Sequence, residues 1–317
     1  DTSSFDRAET RLLGGHVDAN ALFDLRVAAL NARHRYGSLP VRGLLGGRIE
    51  LLPHQLYIAR EVSDRHLPRV LLADEVGLGK TIEACLVLHS LIVRGVVQRG
   101  LILVPHALVH QWFVELLRRF NLSFSIFDEE RCESIEAGEP GANPFLDDQL
   151  VLASVEFLSE NPQRAAQATA CPWDLLIVDE AHHLHWSPEQ TSPEYEVVER
   201  LAENTPRLLL LTASPEQMGL ESHFARLRLL DPQRYPDFDA YRMEHDRYAE
   251  VAADLGPRLD SMDEQARAEA LDRHGPGRVI FRNTRRCMSG FPSRIPDLVP
   301  LDLPQDAALL GPDDPRI

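Results

Sequence analysis

Three short groups of residues in this chain have types and spacing that could do chemistry on a phosphate. The first is Gly77, Gly79, Lys80 and Thr81, which follow the apolar run Val70 to Ala73 and open a helical pattern through Ile82 and Ala84. This is the strand, loop and helix-start context of a phosphate-binding P-loop. Glycines let successive backbone N–H groups face phosphate oxygens, the helix N-terminus adds positive potential, and a lysine reaches the terminal phosphates. Thr81 would offer a hydroxyl to magnesium. Position 74, where the pattern G-x-x-x-x-G-K-[ST] has its first glycine, is Asp74 here. Of the 33 lysine and arginine side chains, Lys80 is the only lysine. A compact ammonium suits a phosphate cradle better than a planar guanidinium, although a lone lysine must also sit somewhere by chance.

The second group is Asp179, Glu180 and His182, directly after the apolar run Leu175 to Val178. In a parallel sheet, ligands bind at the carboxyl ends of the strands, so these acids are expected beside the phosphate loop. Asp179 would hold Mg2+, and Glu180 would orient and deprotonate an attacking water. The third group is Thr212 and Ser214, again after an apolar run, Leu208 to Leu211. Their hydroxyls are placed to hydrogen-bond the acidic motif and relay its state, though such an ending is also a common turn or helix cap.

These groups require a sheet to position them. Apolar runs at 70–73, 101–104, 124–127, 150–153, 175–178 and 208–211 alternate with helical patterns. Runs apolar throughout indicate a parallel sheet covered on both faces, an α/β fold. Residues 1–48 carry a helical stretch with Leu22, Phe23, Leu25, Val27 and Leu30 on a face expected to pack on the next domain. The acidic stretch 128–148 reads as a solvated, turn-rich loop. We expect the lobe itself over 49–235, an acidic helical insertion over 236–277, and a connector over 278–317.

Bulk composition narrows the class. A formal net charge of −16 argues against an all-over nucleic-acid-binding surface, so such contact would be confined to one face. The four cysteines show no metal-ligand spacing and are expected to be reduced. His182, His183 and His185 could form a zinc cluster but lack a further ligand set. No window is apolar enough for a membrane span, and residues 1–6 lack signal-peptide features, so no membrane association is expected. The first residue is not methionine, and a fragment of a longer protein is expected, with internal residues missing near 250–275.

Together the motifs resemble the ATP-binding lobe of the two-lobed helicase-like superfamily, with a RecA-like fold. Asp74-Glu-Val-Gly-Leu-Gly-Lys-Thr81 resembles the Swi/Snf-type P-loop, and Leu52-Pro-His-Gln55 resembles that group's upstream glutamine motif. Leu101-Ile-Leu-Val-Pro105, leading to Gln111-Trp112, resembles its second motif. Trp112 and Trp173 themselves read as core aromatics. Longer phrases, among them Pro53 to Val62, Glu221 to Pro232 and Phe281-Arg-Asn-Thr-Arg285, are similar to the bacterial RNA-polymerase-associated ATPases of this family. The resemblance implies ATP and Mg2+ as cofactors, and a monomer that translocates on double-stranded DNA, binds RNA polymerase core and assists its recycling, in the cytoplasm with the nucleoid.

Residue by residue, the resemblance implies Gln55 at adenine and Asp74, Glu75, Val76, Gly77, Leu78, Gly79, Lys80 and Thr81 around phosphate and metal. It further implies Asp179 and Glu180 in hydrolysis, His182, Thr212 and Ser214 in coupling, and Pro105, His106 and Ser154 facing a nucleic-acid backbone. The second lobe's arginine-finger motif, Q-x-x-G-R-x-x-R-x-G-Q-like, does not occur in these 317 residues. Weak hydrolysis by the isolated chain is therefore expected. A different helicase-like NTPase of repair or restriction type, or a non-catalytic polymerase-binding module, remain the alternative readings.

Overall fold

The chain was analysed as a computed structural model, which describes residues 20–37, 39, 42–44, 46–212, 219–247 and 279–283. All of them belong to one compact unit, residues 1–283. Ser214 and most of the expected insertion and connector lie outside the described residues.

Leucine, isoleucine and valine dominate the strands, and almost every strand residue is buried. The strands are β1 (Arg69–Leu72), β2 (Gly100–Val104), β3 (Ser125–Phe127), β4 (Leu150–Ser154), β5 (Leu175–Val178), β6 (Leu208–Leu211) and β7 (Ile280–Phe281). They form one seven-stranded sheet in the order β3-β4-β2-β5-β6-β1-β7, and every pairing is parallel. The α/β parallel architecture expected from the apolar runs is thus observed. Strand alternation divides the core in two. Leu71, Leu103, Val178 and Leu210 face one layer of side chains, while Val70, Leu72, Ile177 and Leu211 face the other.

Helices cover both layers. On the second face lie α2 (Pro53–Ser63), α3 (Lys80–Val93) and α4 (Val109–Phe120), contributing Ile58, Leu88 and Trp112. On the first lie α6 (Val155–Glu160), α7 (Pro162–Thr169), α8 (Pro193–Asn204) and α9 (Gly219–Leu230). Proline in the first turn starts α2, α7 and α8, where its missing N–H costs nothing. At the amino end of β1, Arg69 donates to the carbonyls of Leu229, Leu230, Ala202 and Thr205, tying the ends of α8 and α9 to the sheet.

The structure departs from the expectations in two places. The helix α1 (Asn20–Gly37) forms, but Leu22, Phe23, Leu25, Val27 and Leu30 are all exposed, so the packing expected for them is not made among the described residues. The acidic stretch after β3 is not a loop throughout. Asp128 caps α5 (Glu129–Gly138) by accepting from the Arg131 amide at 2.9 Å. Arg164 on α7, 3% exposed, clamps it through Glu129 and Glu136, each with a closest contact of 2.6 Å. That clamp is 28–35 residues away in sequence, which is why local composition did not show it.

Arg164 holds the Glu129 and Glu136 carboxyls below their ordinary value of 4.5 by hydrogen bonding. Depressed carboxyls contribute stability above the unfolded value and lose it as pH falls. Arg164→Met should therefore raise amide exchange across 129–138 while leaving β2 and β5 protected. It should also flatten the loss of stability below about pH 4.5, read by thermal melts.

Candidate functional site

The turn after β1 is built so that only glycine fits at its tightest points. Gly77 and Gly79 have φ of 85° and 92°, and a Cβ on Gly79 would lie 2.4 Å from Gln55 Nε2. Gly79 also starts α3 without offering a side-chain oxygen, so no side chain caps the first amides of the helix. Uncapped amides and the helix dipole make an anion site. Lys80 Nζ, half-buried, donates to the Asp74 carbonyl at 2.9 Å. Thr81 follows in the first helical turn, also half-buried, while Glu75 and Val76 are exposed. Beneath the turn, Gln55 Nε2 donates to the Leu78 carbonyl at 3.0 Å, and His54 Nε2 lies 3.2 Å from the same oxygen.

Two acids sit fully buried behind the loop, at Asp74 and Glu83, each 0% exposed. With His54 they bring three ligand-type atoms within 4.8 Å of one another. Asp74 accepts from Asn283 N at 2.7 Å and from Asn283 Nδ2 at 3.0 and 3.2 Å. As carboxylates, Asp74 and Glu83 could not donate to each other, whereas a neutral Glu83 can. Burial first, and then the Asp74 charge and hydrogen bond, push Glu83 up to about 9, against the opposing pull of Lys80. Burial thus favours a neutral Glu83 beneath the loop, with Lys80 beside it. Nothing in the local pattern around Glu83 announced it, because the burial comes from the sheet.

The acidic turn forms where β5 ends. The Asp179 amide still bonds to the Leu103 carbonyl of β2 at 2.9 Å, and the chain then turns sharply at Glu180, with φ of 48°. Glu180 is one of two non-glycine residues with positive φ among the described ones, the other being the helix cap Asn121. Asp179 Oδ2 accepts from Trp112 Nε1 at 2.7 Å, and Oδ1 accepts from the Glu180 amide at 2.8 Å. Burial nevertheless raises the Asp179 carboxyl, outweighing these donors and the nearby Lys80 charge. Trp112, expected as a core aromatic, is 1% exposed and also carries this bond. The available signal was that a buried indole N–H requires an acceptor.

His182 follows in the turn Ala181–His183, with Nδ1 3.0 Å from Glu180 Oε2 but without hydrogen-bond alignment. Burial and then the charges of His183 and Arg226 lower its pKa, which favours the neutral ring. Thr212 ends β6 fully buried, and its hydroxyl has no partner, so the expected bond to the acidic motif is not made. Arg226, also 0% exposed, reaches the Ala181 carbonyl at 3.4 Å.

A cavity of about 290 Å3 opens beside Asp179 and Glu180, edged by Pro105, Glu156, His183 and Glu194. His106 is exposed next to it, its amide donating to Glu156 at 3.0 Å. Ser154 is 4% exposed, and its hydroxyl caps α6 by accepting from the Phe157 amide. A separate cavity of about 520 Å3 around Arg65, Arg69, Glu199 and Arg228 includes none of the expected site residues.

The Glu83 environment has a pH signature. The folded chain keeps this proton to about 9, while the unfolded chain releases it near 4.5, so the folded state binds more protons in between. The contribution of this group to stability therefore declines as pH rises through that window. Glu83→Gln, neutral at every pH, should gain in melting temperature relative to the native chain between pH about 5 and 9. A difference that does not change with pH would contradict a neutral Glu83.

Comparison with known proteins bears on the family of the chain. The SNF2-related domain matches residues 58–289. The chain is 49% identical to the RNA polymerase-associated protein RapA of Vibrio parahaemolyticus, covering 95% of this chain and 35% of that protein. It is 48% identical to the RapA proteins of Vibrio cholerae and Photobacterium profundum, with the same coverage. It thus spans about a third of the length of these relatives. The Sulfolobus solfataricus SWI2/SNF2 ATPase core in complex with dsDNA is similar in fold, with a TM-score of 0.54 at 18% identity over 75% of this chain and 45% of that one. Glycine loop, half-buried acidic turn and parallel sheet together with the domain match lead to one assignment: the chain belongs to the SNF2-related domain family.

Proposed function

We propose that this chain is the ATP-binding lobe of a DNA-translocating ATPase that associates with RNA polymerase and assists its recycling during transcription. The observation that carries the reading is the placement of two motifs, the phosphate loop after β1 and Asp179-Glu180 after β5, at the carboxyl ends of one parallel sheet. The similarity to RapA proteins supports the polymerase association. Double-stranded DNA is the proposed track, RNA polymerase core the partner, and a cytoplasmic monomer the working form.

The donor set fits magnesium, since a hydroxyl at Thr81 and a carboxylate at Asp179 are hard oxygen ligands. The ion would supply charge neutralisation between the β- and γ-phosphates. The chain's own residues divide the rest. Lys80 leaves the Asp74 carbonyl for the terminal phosphates, and the uncapped amides of α3 hold phosphate oxygens. Trp112 fixes the orientation of Asp179. Glu180 aligns the attacking water, and His182, 3.0 Å from it, takes part with Thr212 and Ser214 in coupling. Gln55, bonded to the Leu78 carbonyl of the loop, is the proposed contact for adenine. Pro105 and His106 at the surface are better placed than the buried Ser154 to meet a nucleic-acid backbone.

The test is ATP hydrolysis by the full-length protein with DNA, RNA and RNA polymerase added separately. Stimulation by double-stranded DNA, abolished by Lys80→Ala, is expected. No hydrolysis with any addition would reject the enzyme and favour a scaffold. The 317-residue chain alone should turn over ATP at least about a hundredfold more slowly, as an arginine finger is worth several orders of magnitude. Steady DNA-stimulated turnover by that chain would contradict this.

Trp112→Phe keeps the ring and removes one hydrogen bond to a charged group, worth about 1.5–3 kcal/mol. It should slow hydrolysis by the full-length protein roughly 10- to 100-fold with little change in ATP affinity.

A further inference from the structure

We propose that Asn283 is a positioning residue for nucleotide binding: it holds Asp74, and through Asp74 the resting place of Lys80, so that affinity for ATP depends on residues 279–283. The proposal rests on the reading of residues 74–81 as the phosphate loop.

The irregular position in the loop is the starting point. A glycine at position 74 would need no partner, whereas a fully buried aspartate requires donors for both oxygens. Asn283 provides them, 209 residues downstream: its backbone amide reaches Oδ1 at 2.7 Å, and its side-chain amide reaches Oδ1 at 3.2 Å and Oδ2 at 3.0 Å. Backbone bonds lead up to this contact in step. Leu71 N donates to Val279 O at 2.6 Å, Ala73 N to Phe281 O at 2.8 Å, and Glu75 N to Asn283 O at 3.1 Å. The last of these lies within the glycine turn itself, beyond the end of β1.

The seventh strand is only two residues long and lies at the sheet edge, so its ladder alone is a weak attachment. The Asn283 clamp finishes it. On the opposite side, the carbonyl of Asp74 accepts from Lys80 Nζ. A displacement of Asn283 therefore moves Asp74, and with it the anchor from which the lysine departs to meet phosphate. Thermodynamic reciprocity follows: if the clamp favours nucleotide, nucleotide must tighten the clamp.

The experiment is a double-mutant cycle in the full-length protein with Asn283→Ala, Asp74→Asn and both together. The readouts are the dissociation constant of a fluorescent ATP analogue with Mg2+, KM and kcat, and melting temperature. Asn283→Ala should weaken binding about tenfold and raise KM in proportion, with kcat little changed, and should lower the melting temperature because Asp74 Oδ2 loses its donor. Asp74→Asn should weaken it similarly, and the double variant should be no weaker than the weaker single. Equal affinity in Asn283→Ala and the native protein, or independent multiplication of the two effects, would overturn the proposal.

Lys80→Ala serves as control. Loss of binding there with none in Asn283→Ala sinks this inference alone, while binding retained in Lys80→Ala sinks the phosphate-loop reading beneath it. If Asn283→Ala melts too low to assay, exchange of the Asn283 amide in the native protein decides. Slower exchange on adding ATP and Mg2+ supports the clamp, and unchanged exchange rejects it.

Discussion

Parallel strands have their carboxyl ends on the same edge, and in this chain that geometric constraint brings together residues spread from Asp74 to Asn283. β1, β5 and β6 end side by side in register, with Leu72 beside Leu211 and Val178 beside Leu210. The phosphate loop, the acidic turn and Thr212 each begin at the next residue or two. No local sequence could gather them. The leucine- and valine-rich strands do so by burying both faces, and the functional residues occupy the first positions at which the backbone leaves the sheet.

The same burial takes charge wholly or partly out of water, and the chain answers each case differently. Asp74 is given three donors from one asparagine. Burial pushes Glu83 up to about 9. Asp179 holds an indole and a backbone amide, yet its carboxyl still lies above the ordinary range. Arg226 is poorly satisfied, with one long bond to Ala181 and two nitrogens without partners, and burial lowers it to about 10. Thr212 has a buried, unpartnered hydroxyl on the neighbouring strand. Unsatisfied groups behind the acidic turn are expected where a second arrangement must be reachable, since a fully bonded turn would have no reason to move.

What could be read in the sequence was what is repeated or local. Six of the seven strands are near-continuous apolar runs, and the glycine turn and Asp179-Glu180 are contiguous. The seventh strand, Ile280–Phe281, is too short to have a pattern, and only its pairing with Leu71 and Leu72 defines it. The helix α5 looked like an acidic loop because its organising residue, Arg164, lies on another element. Trp112 looked like core because it is core; its second role depends on the end of β5 lying opposite. The substitution at position 74 was legible as a mark of family but not as a structural need, since its partner stands at 283. In each case the missing information was a contact distant in sequence.

The central claim is that the turn after β1 and the turn after β5 act as one nucleotide site. Backbone amide exchange of this chain with and without ATP and Mg2+ tests it most directly. Exchange should slow together across residues 74–83 and 179–183, and Lys80→Ala should abolish both effects. Protection at one turn with none at the other, or protection that survives Lys80→Ala, would contradict the account.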